Sequence, residues 1–180
     1  HAQLQLNKIS GIEGLSQNTV KSIIQDSNGF IWVGTYNGIN KYDGYSMVHY
    51  NFSNDVNSLS SNIIISLFED KDGYIWAGTT DAGLNRIDPR TGKIEVYFDN
   101  PNESDYVSEI DHIYQSPSGF IFIKTSKGIK FFKVAIDGSL LFEDVMNVAN
   151  NFSLLIKSII PAVNGKHWFF TPERKIILHQ

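Results

Sequence analysis

The sequence predicts an all-β chain assembled from repeated four-stranded antiparallel units. The first observation is a phrase that returns, because DSNGFIWVGT at residues 26–35 reappears as DKDGYIWAGT at residues 70–79. The second is its spacing, and the steps between the aligned aromatic residues are 44, 46 and 46 residues for Trp32, Trp76, Phe122 and Trp168. A period near 45 residues with several short strands per unit is typical of β-propeller blades.

The composition fits a globular β protein and excludes several classes of function. The 180 residues are 42% hydrophobic and 13% aromatic, with 14 glycines, no cysteine and a net charge of −4. No basic stripe is present for nucleic acid, and no apolar run reaches the roughly 18 residues of a membrane span. The lack of cysteine excludes thiolate chemistry, and the five histidines show no metal-ligand spacing. We therefore expect no metal, no cofactor, no nucleic acid and no membrane contact by this segment.

Each unit is predicted to contain four strands separated by Gly-containing turns. The inner strands are almost continuously apolar, as expected for strands covered on both faces, and lie at residues 20–25, 64–69, 110–115 and 157–162. The second strand of the first unit is FIWVGT at residues 30–35, and its equivalents in the later units are YIWAGT, FIFIKT and HWFFT. The third strands are expected at residues 38–42, 83–87, 128–132 and 175–179. The outer strands are expected at residues 46–50, 93–98 and about 140–144.

The repeats divide a single β-propeller region, residues 1–180, into blades. Their approximate bounds are 15–58, 59–104, 105–150 and an incomplete 151–180. Residues 4–9 alternate as LQLNKI and are a candidate closing outer strand for a small four-bladed ring. The main prediction is nevertheless a partial propeller, of which two halves could pair through exposed blade edges into an eight-bladed ring, and the closed four-bladed ring is the alternative. His1 to Gln3 is either the remnant of a removed signal peptide or an addition to the natural chain.

Most of the recurring residues have structural roles in this interpretation. Asp26 and Asp70 stand in Asp-x-x-Gly turns, where the carboxylate caps the backbone and glycine takes the positive φ angle. The large aromatic residues are expected to fill the core between blades, and Gly34 and Gly78 to allow close backbone approach. The full structural set is Asp26, Gly29, Trp32, Gly34, Asp70, Gly73, Trp76, Gly78, Gly119, Phe122, Gly165 and Trp168.

The Asp-x-x-Gly-x-x-Trp phrase also resembles the Asp-box hairpin of sialidases. Such a glycosidase needs an arginine cluster for the substrate carboxylate, a tyrosine nucleophile and an acidic partner. The arginines here are only Arg86, Arg90 and Arg174, and Arg86 occupies a repeat position that holds Lys41 in the first copy. The sequence therefore predicts no catalytic residues and disfavours a glycosidase.

The residues that differ from one repeat to the next are the candidates for ligand binding. In a propeller the loops between second and third strands crowd one face together with the inter-blade loops, and binding residues usually lie on such loops. An aromatic platform with polar partners is what a glycan requires. The candidate ligand-binding residues are Tyr36, Asn37, Asp81, Lys127 and Arg174. The alternative is ordinary surface variation.

The phrase at residues 15–42, LSQNTVKSIIQDSNGFIWVGTYNGINKY, closely resembles the two-component regulator propeller repeat. Residues 59–88 match that pattern about as well. The third copy replaces the Asp, Trp and Gly of the pattern with Ser116, Phe122 and Lys124. The fourth copy keeps Gly165 and Trp168 but loses the Asp and the Gly-Thr pair.

This resemblance implies the periplasmic sensor region of a Bacteroides-type hybrid two-component system histidine kinase. Members of the family often carry two seven-bladed propellers, a small β-sandwich, a membrane helix and a histidine kinase, and many sense oligosaccharides. The resemblance thus implies a non-enzymatic, ligand-sensing fragment that recognises an oligosaccharide and signals to a kinase outside this chain. Its partners would be the oligosaccharide, the remainder of the receptor and a second copy through exposed blade edges. The alternative is a structural or protein-interaction segment with no ligand of its own.

Overall fold

The computed structural model describes residues 14–103, 106–116, 119–126 and 128–142, together with the backbone of three later strands. The described residues form no helix. The first two blades contain β1 (Val20–Gln25), β2 (Ile31–Thr35), β3 (Gly38–Tyr42), β4 (Met47–Tyr50), β5 (Ile64–Glu69), β6 (Ile75–Thr79), β7 (Leu84–Ile87) and β8 (Ile94–Tyr97). The later strands are β9 (Ile110–Gln115), β10 (Ile121–Thr125), β11 (Gly128–Val134), β12 (Leu140–Phe142), β13 (Ser158–Pro161), β14 (His167–Phe170) and β15 (Ile176–His179).

The strands form one antiparallel sheet for each repeat, in chain order. Three sheets have four strands, β1 to β4, β5 to β8 and β9 to β12, and the last has three, β13 to β15. The register is the same in the first two sheets, where Trp32 pairs with Lys41 and Trp76 pairs with Arg86. The all-β, four-stranded blade prediction is confirmed, and the strand ends differ from the expected ones by at most two residues.

The core lies between successive blades. Trp32 and Ile39 of the first blade pack with Ile64 of the second in one apolar cluster. Trp76 of the second blade packs with Phe132 of the third in another. Both tryptophans are fully buried, at 0% exposure, as expected for residues that fill the space between sheets.

Two glycines of the second strands allow the blades to approach closely. A Cβ atom on Gly34 would lie 2.8 Å from Ile64 Cγ2 of the next blade. A Cβ atom on Gly78 would lie 2.3 Å from the carbonyl oxygen of Ile110 in the third blade. Both distances are shorter than a carbon contact tolerates, so the predicted close approach at these positions is confirmed.

The expectation that every inner strand is covered on both faces is wrong for β1. Val20 is 38% exposed and Ile23 is 61% exposed, whereas the equivalent residues of β5, Ile64 and Leu67, are 0% and 8% exposed. The reason is that β5 lies between two blades, while β1 contacts the second blade on one side and solvent on the other.

Several predictions fall on residues that the structure does not describe. They concern the candidate strand at residues 4–9, the turn glycine Gly165, the side chain of Trp168, and the candidate ligand residues Lys127 and Arg174. Within the described ranges no helix is long and apolar enough to cross a membrane.

Candidate functional site

The Asp-x-x-Gly turns hold each hairpin together through the carboxylate. Asp26 Oδ1 accepts hydrogen bonds from the backbone N–H groups of Asn28 and Phe30, at 3.0 and 2.9 Å. Its second oxygen accepts the indole N–H of Trp32 at 2.8 Å. Asp70 makes the same indole bond to Trp76 at 2.7 Å. The predicted turn cap is therefore also the acceptor for a buried indole, which the sequence reasoning did not identify.

The third copy changes both partners of this bond. Ser116 replaces the aspartate, and its Oγ accepts the backbone N–H of Phe120 at 3.0 Å. Phe122 replaces the tryptophan and packs edge-on against Phe131 at 4.4 Å between ring centroids. Since a phenyl ring has no N–H donor, the hairpin keeps its turn cap and needs no second acceptor. The contacts of these residues hold each hairpin together, which is the structural role expected from their repetition.

In the first two blades, a buried asparagine of the third strand fixes the loop that enters the blade. Asn40 is fully buried, donates from Nδ2 to Ser16 Oγ, and accepts the Ser16 backbone N–H, both at 2.8 Å. Asn85 makes the same pair of bonds with Ser60 at 2.9 Å. The signal was present in the sequence, because the Leu-Ser phrase and the third-strand Asn occur together in both strong copies and Lys130 replaces that Asn in the third.

The candidate ligand residues of the first blade lie on its β2–β3 loop, beside the inter-blade loops. Tyr36 is 44% exposed, and the Lys21 ammonium lies 4.9 Å from the centre of its ring. The backbone of Asn37 donates to Thr35 Oγ1 at 3.0 Å, and its side chain donates to the Ser16 carbonyl at 3.4 Å. The exposed Tyr36 ring therefore lies on a loop that is fixed by the two hydrogen bonds of Asn37, one to Thr35 and one to Ser16.

The candidate residue of the second blade lies in the equivalent loop. Asp81 is exposed, and its backbone carbonyl accepts the hydroxyl of Tyr106 at 2.9 Å. The two blades also join here, because the Gly38 N–H donates to the Asn62 carbonyl at 2.7 Å. The β2–β3 and β6–β7 loops thus share one end of the sheets with the inter-blade loops. We call this end the loop face. The binding role of these residues stays a prediction.

A charged and aromatic cluster occupies the outer part of the second blade. The Arg86 guanidinium stacks 3.6 Å from the centre of the Tyr74 ring and bonds Glu95 Oε2 at 3.2 Å. The hydrogen bond from Lys93 holds the pKa of Glu95 below its usual range, although burial opposes the shift. Burial is the main cause that raises the pKa of Tyr97 to about 12, and its hydroxyl donates to the same carboxylate. Glu95 is therefore an ionised acceptor shared by three donors.

A metal centre has no support in the part of the chain that the structure describes. No group of three or more His, Asp or Glu side chains there could hold an ion. The expectation of no metal stays a prediction.

Two segments of the chain, residues 14–37 and 58–81, match the family model described as two component regulator propeller. In these two segments the chain resembles the two-component regulator propeller repeat. The matched segments begin at the inter-blade loop and end at the loop face, so each contains the Asp–Trp hairpin described above. The family resemblance predicted from the repeat phrase is confirmed.

Similar solved structures come from the extracellular domains of B. thetaiotaomicron sensors assigned to the hybrid two-component class. One is 28% identical, with a TM-score of 0.76 over 96% of this chain and 24% of its own length. Another is 26% identical, with a TM-score of 0.64 over 92% of this chain and 22% of its own. The chain therefore spans about a quarter of the length of the structures it matches.

Two further similarities are weaker: one covers a short segment of the sequence, and the other concerns the fold. Histidine kinase P4 of Formosa agariphila is 51% identical over 39 residues, which are 22% of this chain and 3% of that protein. Virginiamycin B lyase from Staphylococcus aureus is 16% identical, with a TM-score of 0.58 over 89% of this chain and 55% of that one. The likeness to the lyase shows the propeller fold alone.

Proposed function

We propose that this chain is a ligand-sensing part of the extracytoplasmic region of a hybrid two-component sensor. It lies in the periplasm, recognises an oligosaccharide, has no catalytic role of its own, and signals to a histidine kinase outside this chain. The observation that carries the proposal is the match of 96% of the chain, at a TM-score of 0.76, to an extracellular domain of that class. The repeats matched by the family model support the same assignment.

The loop face is the part of the described structure that best suits a sugar. Tyr36 presents a partly exposed ring, and the nearby Lys21 ammonium supplies a hydrogen-bond donor. Asn37 and Asp81 add polar groups on the same face. The Asn40–Ser16 and Asn85–Ser60 bonds hold the neighbouring loops. An aromatic surface with fixed polar neighbours suits the alternating apolar and hydroxyl surfaces of a sugar ring.

The test is a thermal-shift screen of the 180-residue chain against oligosaccharides, because a ligand that binds only the folded state raises the melting temperature. For a ligand found in this way, Tyr36→Ala should weaken binding about tenfold, as expected for an aromatic anchor, without lowering the melting temperature of the free protein. Tyr45→Ala is the matched control, because Tyr45 is a 98% exposed tyrosine in the β3–β4 turn at the opposite end of the sheet.

One outcome with these variants and one outcome of the screen would contradict the proposal. If the Tyr36→Ala and Tyr45→Ala proteins bound the ligand with equal affinity, the binding site would lie outside the loop face. No shift with any oligosaccharide of a broad panel would favour the alternative, a structural or protein-interaction segment with no ligand of its own.

We also propose that the exposed side of β1 packs against a further blade of a longer protein. Ile64 and Leu67, the equivalents of Val20 and Ile23, are buried by the preceding blade. A polar contact also joins neighbouring blades. At the end of β9 in the third blade, Gln115 Oε1 accepts the backbone N–H of Lys71 in the second blade at 2.7 Å. The equivalent Gln25 makes the same local bond from Nε2 to a glycine carbonyl, so its Oε1 is presented in the same way.

The length of the similar structures favours another blade over a second copy as the occupant, since the chain covers only about a quarter of them. Ile23→Lys should leave the free energy of unfolding of the 180-residue chain within about 0.5 kcal/mol, because the position is exposed. The same change should lower the melting temperature of the natural longer protein. An unchanged longer protein would contradict the proposal, as would a dimer of the 180-residue chain that Ile23→Lys dissociates in sedimentation.

A further inference from the structure

A basic residue follows the buried asparagine in the third strand of the first two blades, and it has different surroundings in each. Lys41 pairs with Trp32 across the strands, and Arg86 pairs with Trp76 in the same register. Lys41 lies 4.1 Å from the centre of the Phe30 ring, and Arg86 lies 3.6 Å from the equivalent Tyr74 ring. Lys41 and Arg86 therefore occupy equivalent positions in their blades, with equivalent aromatic neighbours.

In the first blade the next blade supplies the acceptor for this cation. The Lys41 ammonium donates to the carbonyl oxygen of Pro89 at 3.2 Å. Pro89 lies in the turn between β7 and β8, which is closed by a bond from the Asp88 N–H to the Lys93 carbonyl. The partly buried Pro89 thus occupies the space beside the cation.

Between the second and third blades, the described residues place no turn carbonyl beside Arg86 in this way. The turn between β11 and β12 is closed from the Ala135 N–H to the Ser139 carbonyl, so it is one residue shorter than its counterpart. Ile136 stands next in that turn, as Pro89 does in the other, but it is fully exposed. Among the residues that the structure describes, none accepts a hydrogen bond from the buried Arg86 Nε.

A cleft of about 200 Å³ opens where the turn falls short. It is lined by residues of both blades, among them Arg86, Trp76, Lys71, Gln115, Lys133 and Val134. The Arg86 side chain is only 13% exposed. It is held from one side by the Tyr74 ring and from another by Glu95. A guanidinium fixed in this way loses little freedom when it binds an acceptor.

The charges around the cleft favour a single negative group. Asp70 also lines it, but its oxygens accept the Trp76 indole and two backbone N–H groups. Asp72 is paired with Lys71 at 3.1 Å. The lining side chains Lys71, Arg86 and Lys133 carry three positive charges against the two negative charges of Asp70 and Asp72, which leaves a net charge of +1. One carboxylate beside the guanidinium would balance this net positive charge.

We propose that the cleft between the second and third blades binds a small carboxylate-bearing molecule. Its carboxylate lies between the Arg86 guanidinium and the Lys133 ammonium, which both line the cleft. The volume accommodates a group of the size of one sugar acid. This site lies near the β5–β6 turn, at the opposite end of the sheets from the loop face, so it does not depend on the oligosaccharide proposal.

The test is an NMR titration of the ¹⁵N-labelled 180-residue chain with glucuronate, with glucose as the neutral counterpart and acetate as the bare carboxylate. We expect saturable shifts of the Arg86 Nε–H and the Trp76 indole N–H with glucuronate, weaker shifts with acetate and none with glucose. The Trp32 indole N–H is the internal control, because Pro89 occupies the equivalent space and this signal should stay unchanged.

Two substitutions examine the two cations. Arg86→Lys copies the first blade, keeps the charge and removes the planar guanidinium that Tyr74 and Glu95 hold in place, and it should weaken glucuronate binding at least about tenfold. Lys133→Gln, which is less dependent on correct packing, should weaken it about threefold. Lys41→Gln is the matched control in the first blade and should leave the affinity unchanged.

Three results would overturn this proposal. One is the absence of shifts with both carboxylates, and another is equal shifts with glucose and glucuronate. The third is unchanged glucuronate affinity in both the Arg86→Lys and Lys133→Gln proteins. If Arg86→Lys does not fold, the Arg86 Nε–H shift of the natural chain and the Lys133→Gln affinity still decide the question.

Discussion

The hairpin of the second blade and that of the third pack against their neighbours with different chemistry. In the second, the Asp70 carboxylate bonds the turn backbone and the buried indole of Trp76. In the third, Ser116 bonds the turn and Phe122 fills the position of the indole without a polar atom. Each arrangement satisfies its own hydrogen bonds. In the second blade the Asp70 carboxylate accepts both the turn N–H and the indole N–H, and in the third blade Ser116 accepts the turn N–H while the phenyl ring has no donor.

This difference indicates that the aspartate and the tryptophan form one structural pair, joined by the indole hydrogen bond. An indole N–H that is fully buried requires an acceptor, and leaving it unpaired costs about 1–3 kcal/mol. A buried carboxylate oxygen likewise requires a donor. The two residues should therefore be replaced together, as they are in the third copy, rather than one at a time.

The largest expected effect tests this coupling in the second blade. Asp70→Ser should lower the free energy of unfolding by about 3 kcal/mol, because the indole of Trp76 loses its acceptor. Trp76→Phe should cost about 2 kcal/mol through an orphaned carboxylate oxygen and lost packing. The double variant copies the third blade and should cost about 2 kcal/mol less than the sum of the singles. Urea unfolding of the four proteins measures each value.

The first blade supplies the matched control for this cycle. Asp26 and Trp32 make the same bond at 2.8 Å, so Asp26→Ser and Trp32→Phe should show coupling of the same sign. Additivity within about 0.5 kcal/mol in both blades would show that the indole bond contributes nothing beyond the two separate side chains.

Most of the fold could be predicted from the sequence because local chemistry repeats at a fixed interval. Turn residues, alternating apolar runs and the 44-residue step between Trp32 and Trp76 define strands and blades without any long-range information. The exposure of Ile23 could not be predicted in the same way. Its sequence surroundings match those of Leu67, and only the packing of whole blades distinguishes them.

The candidate sites were harder to predict because they depend on departures from the repeat. Tyr36 and Asp81 could be selected as variable loop residues, and the structure places both loops beside inter-blade loops. The cleft beside Arg86 depends on a turn that is one residue shorter in the next blade. A pattern aligned on the conserved phrase does not register that difference, since the turn lies outside the phrase.

The smaller expected effect sharpens the same comparison at the second strands. Gly78 of the second blade is replaced in the third by Lys124, which bonds Asp111. In Gly78→Ala the new Cβ would meet the Ile110 carbonyl and Ser66 Oγ, each at 2.3 Å, and these two atoms are joined by a hydrogen bond of 2.6 Å. Because a backbone carbonyl cannot move aside cheaply, we expect a loss of about 2 kcal/mol in urea unfolding.

Gly34→Ala is the matched variant in the first blade. Its nearest neighbour is the side-chain atom Ile64 Cγ2 at 2.8 Å, which a change of rotamer or a small shift can relieve, so a loss of about 1 kcal/mol is expected. The order of the two losses is the informative result. If Gly34→Ala proved the more harmful, side-chain packing rather than backbone approach would set the distance between blades, and the contrast between Gly78 and Lys124 would need another cause.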